Sequence, residues 1–304
     1  MRKLFQRLLG FQNPNPSDEK PAIPISQRKI AEEIGVEEAK YLLDVPQFVV
    51  GCSQSVGKQR EHNEDALFSL STLLATDGEY LPFGLFIIAD GMGGHQHGEM
   101  ASELAVRCTA SQIIQKVLMS LLALQPDAPS ESIQEILEIS VQEAHQTIMR
   151  KAPESGSTLT VILILNKFMS IAHVGDSRAY IVTPEGTMQV LTHDHSLVMR
   201  MMELGQLTVE EASAHPQRNI LYRAMGYGEP FTPDISTSPL PETGYILLCS
   251  DGLWGVVPQE EISRLIIDSP DIQIACQRLI DAANDAGGPD NISAILVRIP
   301  KHVL

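Results

Sequence analysis

The stretch TLTVILILNKFMSIAHVGDSRAYIV, residues 158–182, holds three β-prone runs in close succession. TLTVILIL (158–165), SIAHV (170–174) and AYIV (179–182) follow one another with only four residues in each gap. Outward from them, the same signature recurs in FVVGCS (48–53), ALFSL (66–70), LFIIA (85–89), YILLC (245–249) and ISAILVRI (292–299). Helical spacing appears in two long stretches between the third and fourth of these runs. One spans roughly 98–124, with Ala101, Leu104, Ala105, Cys108, Ile113 and Val117 near one face, and the other roughly 130–150. Short helices follow residue 190, then a Pro/Gly-rich stretch, then helices near 258–267 and 271–286. The last stops at Gly287-Gly288-Pro289. Strands grouped in runs, rather than alternating with helices, predict antiparallel sheets with helices packed outside: an α+β architecture.

With 304 residues the chain can bury a large core. Its longest apolar runs have core-strand length, far short of the roughly 18 residues of a membrane span, so a soluble protein is expected. Cys52, Cys108, Cys249 and Cys276 lie far apart without metal-ligand spacing and read as buried thiols in a reducing compartment. The formal net charge is −16, and residues 1–50 are balanced with seven basic and seven acidic side chains. The acidic body therefore begins after them. It opposes a nucleic-acid partner and suits a protein that commits carboxylates to cations.

MRKLFQRLLGF (1–11) sets Arg2, Lys3 and Arg7 against Leu4, Phe5, Leu8 and Leu9, without the apolar centre of a secretory signal. So short a helix is marginal alone. A mobile tail is favoured over a membrane-surface helix, and weak contact with an anionic membrane stays open. The four prolines of 12–26 mark a linker, and 26–44 carries short helical patterns broken at Gly35. Residues 1–46 are thus expected to be a tail, linker and short helices ahead of one domain at 47–304.

FIIADGMGGHQHGE (86–99) hands an apolar run to an acid, glycines and two histidines. Asp90 is one of a set. HVGDSR places Asp176, and LLCSDG places Asp251, just after a strand. GGPDN places Asp290, and NED places Glu64 and Asp65, just before one. Any one of these is ordinary turn chemistry. Together at one sheet edge the carboxylates would repel unless a cation intervened. Carboxylates with nearby carbonyls are hard donors suited to Mg²⁺ or Mn²⁺; zinc would want nitrogen or sulfur. Glycines 91, 93 and 94 let the backbone pass close to an ion. In GKQREHNED (57–65), Arg60 precedes Asp65 by five residues. It reads either as a surface partner of Glu61 or as a fork for an anion's oxygens.

GKQREHNED, ADGMGGH, SGSTLT, HVGDSRAY, LTHDHS, HPQRN, LLCSDGLW and GGPDNIS occur in the order seen in metal-dependent protein phosphatases of type 2C. The chain resembles the bacterial-type branch over about 48–300. The resemblance implies a four-layer α-β-β-α sandwich of two antiparallel sheets. It implies two core Mg²⁺ or Mn²⁺ ions, with Asp90 bridging and the Gly91 carbonyl, Asp65, Asp251 and Asp290 completing the set; Glu64 acts mainly through water. Asp176 with Asp251 resembles a looser third site, Arg60 the phosphate-binding arginine, and 195–240 the flap beside the site. Asp194 and His195 are expected to orient loops. His95 follows an inserted Met-Gly-Gly and is the expected leaving-group acid, ahead of His97.

The implied reaction is hydrolysis of phosphoserine and phosphothreonine in proteins by direct in-line attack of a metal-bridging hydroxide. No CxxxxxR signature offers a thiol nucleophile. A catalytically dead phosphoprotein-binding module would lack a ligand acid, and none is missing. A two-metal nuclease sits poorly with the acidic body. The expected partners are phosphoproteins made by a Ser/Thr kinase, with a monomeric, cytoplasmic enzyme.

Overall fold

The computed structural model describes residues 47–76, 79–93, 97–123 and 131–300. Residues 1–46, His95 and the side chain of His97 lie outside the described residues, and with them the expected tail, linker and leaving-group acid.

The chain enters through β1 (Val49–Ser55), then forms a long hairpin from β2 (Asp65–Thr76) and β3 (Glu79–Met92). Next come α1 (His97–Ile113), a π-helical turn (Ile114–Leu118), α2 (Met119–Leu122) and α3 (Ile133–Lys151). A short β4 (Gly156–Ser157) leads into β5 (Leu159–Leu165), β6 (Phe168–Val174), β7 (Arg178–Val182) and β8 (Met188–Val190). Two short helices follow, α4 (Leu197–Glu203) and α5 (Val209–Ser213), then β9 (Asp234–Pro239) and β10 (Gly244–Cys249). The chain closes with α6 (Asp251–Trp254), α7 (Gln259–Ile267), α8 (Ile272–Asp285) and β11 (Ile292–Ile299).

One sheet has the order β1-β11-β10-β7-β8, and the other β2-β3-β5-β6-β9 with β4 beside β3. Every pairing between them is antiparallel. The central strands read as unbroken apolar runs because both faces are covered. On β5, Leu159, Val161, Leu163 and Leu165 pack in the cluster with α1 and α3, while Ile162 and Ile164 join the layer between the sheets. On β11, Ile292, Ala294 and Leu296 face α7 and α8, while Ile295, Val297 and Ile299 face the other sheet. Each such residue stabilises the fold by roughly 1.5–3 kcal/mol on leaving water. Two sheets thus share one apolar seam, each backed by helices: the four-layer α-β-β-α sandwich.

Local chemistry sets the helix starts. Ser132 and Glu135 form a reciprocal capping box at α3, and Asp271 accepts the Ile274 N–H at 2.9 Å to open α8.

β6 and β7 lie in different sheets, the chain crossing from one to the other through Gly175–Ser177. The structure departs from the sequence-based expectation in two ways. Asp90 does not end its strand; β3 continues to Met92 because β4 supplies a new partner there. The strands β8 and β9 lie in polar stretches. β9, Asp-Ile-Ser-Thr-Ser-Pro, is a largely exposed edge strand, so no apolar alternation marks it.

Candidate active site

Asp65 and Asp90 are register partners at the end of the β2–β3 hairpin. Asp90 is fastened through its main chain: its N–H donates to Thr158 Oγ1 at 2.8 Å, and its carbonyl accepts the Thr158 N–H at 2.8 Å. Thr158 Oγ1 in turn lies 2.7 Å from Ser177 Oγ on the sheet-to-sheet crossing. The Asp90 carboxylate comes within hydrogen-bonding reach of Asp251, the first residue of α6. Asp65 Oδ2 accepts from Ser250 Oγ at 2.8 Å and from Ser293 Oγ at 2.6 Å. Both serines belong to the opposite sheet's loop and strand, so the cluster straddles the seam.

Asn291 joins the remaining pieces. Its Nδ2 donates to the carbonyls of Val56 at 2.9 Å and His62 at 2.8 Å, and its Oδ1 accepts the Glu64 N–H at 2.7 Å. This clamps the loop bearing Arg60 onto the turn bearing Asp290. Arg60 Nη2 donates to Asp290 Oδ2 at 2.8 Å; the guanidinium turns toward the acids rather than to Glu61. Gly91 is packed so closely that a Cβ there would stand 2.2 Å from the Gly98 carbonyl oxygen. A Cβ on Gly98 would stand 2.7 Å from Glu64 Oε1. The Glu64 carboxylate therefore rests against the first turn of α1, where the helix dipole favours an anion.

Asp176 occupies the crossing, and its carbonyl accepts the Trp254 indole N–H at 3.0 Å. The Arg178 guanidinium lies 3.5 Å over the Trp254 ring and forks onto Asp194, with Nε at 3.0 Å and Nη2 at 2.7 Å.

The electrostatics follow from this crowding. Burial, then the nearby Asp251 and Asp290, push the Asp65 carboxyl up to about 7 against its two serine bonds. Burial and Asp290 push Asp251 up to about 6. Asp90 and Asp176 rise well above the usual carboxylate range, each through burial first and then neighbouring acids. Glu64 is also raised, chiefly by burial. Hydrogen bonding to Asp290 holds the Arg60 guanidinium more firmly charged. Acids packed this way disfavour their own ionised form unless a cation compensates.

Two oxygens identify where such a cation fits. Asp65 Oδ1 and Asp251 Oδ1 are buried without a hydrogen-bond partner among the described residues. Leaving a buried acceptor unmet costs about 1–3 kcal/mol, and more for a charged group. A carboxylate donor set with orphaned oxygens fits hard divalent ions. His193, His195 and Asp234 also bring ligand atoms within 4.8 Å of one another. His195 and Asp234 are already engaged with protein partners. His195 Nδ1 accepts the Gly175 N–H at 3.1 Å, which places the neutral ring's proton on Nε2, 3.0 Å from Asp234 Oδ2. Arg223 Nη1 lies 2.6 Å from Asp234 Oδ1. With a guanidinium beside it, this group ties loop to loop.

The structure brings together Arg60, Glu64, Asp65, Asp90, Gly91, Asp176, Asp251 and Asp290. Sequence reasoning did not single out Ser250, Ser293, Asn291, Thr158 or Trp254. All lie inside or beside the quoted motifs, so adjacency to the acids was the available signal.

The family model for protein phosphatase 2C matches residues 54–296. The serine/threonine phosphatase stp of Listeria welshimeri is 34% identical over 247 residues, covering 79% of this chain and 92% of that protein. Protein phosphatase PhpP of Streptococcus pneumoniae is 37% identical over 214 residues, covering 70% and 85%. Among solved structures, the catalytic domain of serine threonine protein phosphatase PstP in complex with two manganese ions superposes with a TM-score of 0.62 at 27% identity, covering 83% of this chain and 98% of that one. The chain belongs to the protein phosphatase 2C family. Its substrates are phosphoproteins.

Proposed function

We propose that this serine/threonine protein phosphatase works with Mg²⁺ or Mn²⁺ held by Asp65, Asp90, Asp251, Asp290 and the Gly91 carbonyl. The observation that carries the reading is the pair of buried, unpartnered oxygens on Asp65 and Asp251, in a site built almost wholly of carboxylates. Two divalent ions, when bound, supply an acidic water as nucleophile and shield the phosphoryl charge.

The chain's own groups do the rest. Ser250 and Ser293 hold Asp65 in one rotamer, and Thr158 holds the Asp90 backbone, so the donor set is preorganised before any ion arrives. Asn291 fixes the Arg60 loop, from which the guanidinium grips nonreacting phosphoryl oxygens as a fork. Glu64 orders solvent at the rim. Asp176 shares a weaker cation site with Asp251. His95 gives its proton to the departing serine or threonine oxygen.

Residues 47–304 form the phosphatase domain with a flap at about 195–240, and residues 1–46 are a tail and linker. Among the described residues no helix is long and apolar enough to cross a membrane. The enzyme acts as a cytoplasmic monomer opposing a Ser/Thr kinase, with residues 1–11 able to touch an anionic membrane surface. Phosphate release from a phosphothreonine peptide with Mn²⁺, abolished by a chelator, tests the central reading. No release with Mn²⁺ present would refute it.

A further inference from the structure

We infer that the cavity beside the acidic cluster is a subsite for an apolar side chain of the protein substrate, adjacent to the residue being dephosphorylated. The inference rests on the phosphatase reading above and adds what the enzyme selects.

The cavity measures about 490 Å³, within the range of roughly 300–1,000 Å³ typical of ligand pockets. Its lining includes Arg60, Asp251 and Asp290 of the acidic cluster. It also includes Val198, Met199 and Met202 of α4, Val209 and Ala212 of α5, and Trp254 of α6. The charges of α4 lie elsewhere: Arg200 pairs with Glu203 at 2.9 Å, both side chains open to solvent. Further charged lining comes from Asp176 and Arg218, and from Arg178 and Asp194, which pair with one another at 2.7 Å.

The wall is held in fixed relation to the acids. Asp194, two residues ahead of the α4 cap Ser196, is forked by Arg178, and Arg178 lies on Trp254. Val209 is 72% exposed at the start of α5, an apolar surface that an occupant would remove from water. A phosphoryl group seated at Arg60 places the adjoining residues of an extended peptide along the cavity, at about 3.3–3.6 Å each. An acidic side chain there would approach a chain of net charge −16. A basic one would lie against the aliphatic and thioether side chains that α4 and α5 contribute to the lining, with Asp194 already held by Arg178. An apolar one meets matching surface, and two methionines adapt to several shapes. The subsite therefore accepts Leu, Ile, Met or Phe rather than a single residue.

The test compares two phosphothreonine peptides, identical except for Leu or Ser at the positions flanking the phosphothreonine. The wild-type enzyme should favour the Leu peptide in kcat/KM by about 10-fold or more, the discrimination an apolar pocket supplies. The double variant Met199→Gln/Met202→Gln should lower that ratio several-fold. Because both rates come from one preparation, loss of folded enzyme cancels. Equal rates on the two peptides in the wild type, or a ratio unchanged in the double variant, overturns the inference while the phosphatase reading stands. If neither peptide nor N-acetyl-phosphothreonine amide releases phosphate, the phosphatase reading fails and the subsite falls with it. Trp254 is the chain's one tryptophan, which gives a second readout. Its emission should move to shorter wavelength when the Leu peptide, not the Ser peptide, binds the Asp251→Asn protein; identical responses overturn the inference.

Discussion

Asp65 and Asp90 stand directly opposite one another on adjacent antiparallel strands, a placement that sets like charges against each other. The metal-free protein should register that cost as a pH dependence. Folding raises Asp65 to about 7 and Asp251 to about 6, against about 3.9 in the unfolded chain. The folded state thus holds protons that the unfolded state has released. The stability these groups contribute is complete below about pH 4 and is lost as pH rises through 6 and 7. Melting scans in a chelator should fall by roughly 5–10 °C across that window, since about 1 kcal/mol moves a domain of this size by ~2–4 °C. Saturating Mn²⁺ should flatten the curve. A chelated protein whose melting temperature rises from pH 4 to 7 would contradict the assignment.

Replacing Asp251 by Asn removes one charge from the cluster and keeps its shape. Phosphatase activity should drop by more than about 100-fold, beyond the 10–100-fold typical of a residue that merely supports a metal ligand. The metal-free variant should melt at the same temperature as the parent or above it. Activity and melting temperature falling together would reassign Asp251 to a structural role.

Arg60 is half exposed and bonds only Asp290 among the described residues. Arg60→Lys keeps the charge but loses the fork. We expect kcat/KM on a phosphopeptide to fall by about 10–100-fold, in keeping with a charge-assisted contact of 1.5–3 kcal/mol, with no change in melting temperature. Unaltered kcat/KM would exclude Arg60 from phosphoryl binding.

Asp194 is buried at 4% exposure against Arg178. Asp194→Ala would strand a guanidinium inside the protein, at a cost of about 3–5 kcal/mol. Denaturant unfolding should show that loss. A change under 1 kcal/mol would mean that the Trp254 stack and the Tyr180 hydroxyl, 3.4 Å from Nη1, satisfy Arg178 without Asp194.

The central strands were readable because burial on both faces leaves an unbroken apolar signal, as in TVILIL. The edge strand β9 was not, because its residues face water and carry no such pattern. The acids of the site announced themselves through neighbouring glycines and through repetition. Ser250, Ser293 and Asn291 did not: serine and asparagine beside a turn are unremarked locally, and their work arises only when two sheets meet. The continuation of β3 beyond Asp90 was hidden for a similar reason, since the two-residue partner that extends it lies after a long helical excursion.

β11 lies between β1 and β10, in the interior of its sheet. With Asp290 on its threshold and Ser293 within it, this interior strand also carries part of the acidic cluster. Unzipping β11 would part it from β1 and β10 together and carry off Asp290 and the Ser293 bond to Asp65 in the same event, so loss of sheet order and loss of the acidic cluster are one transition.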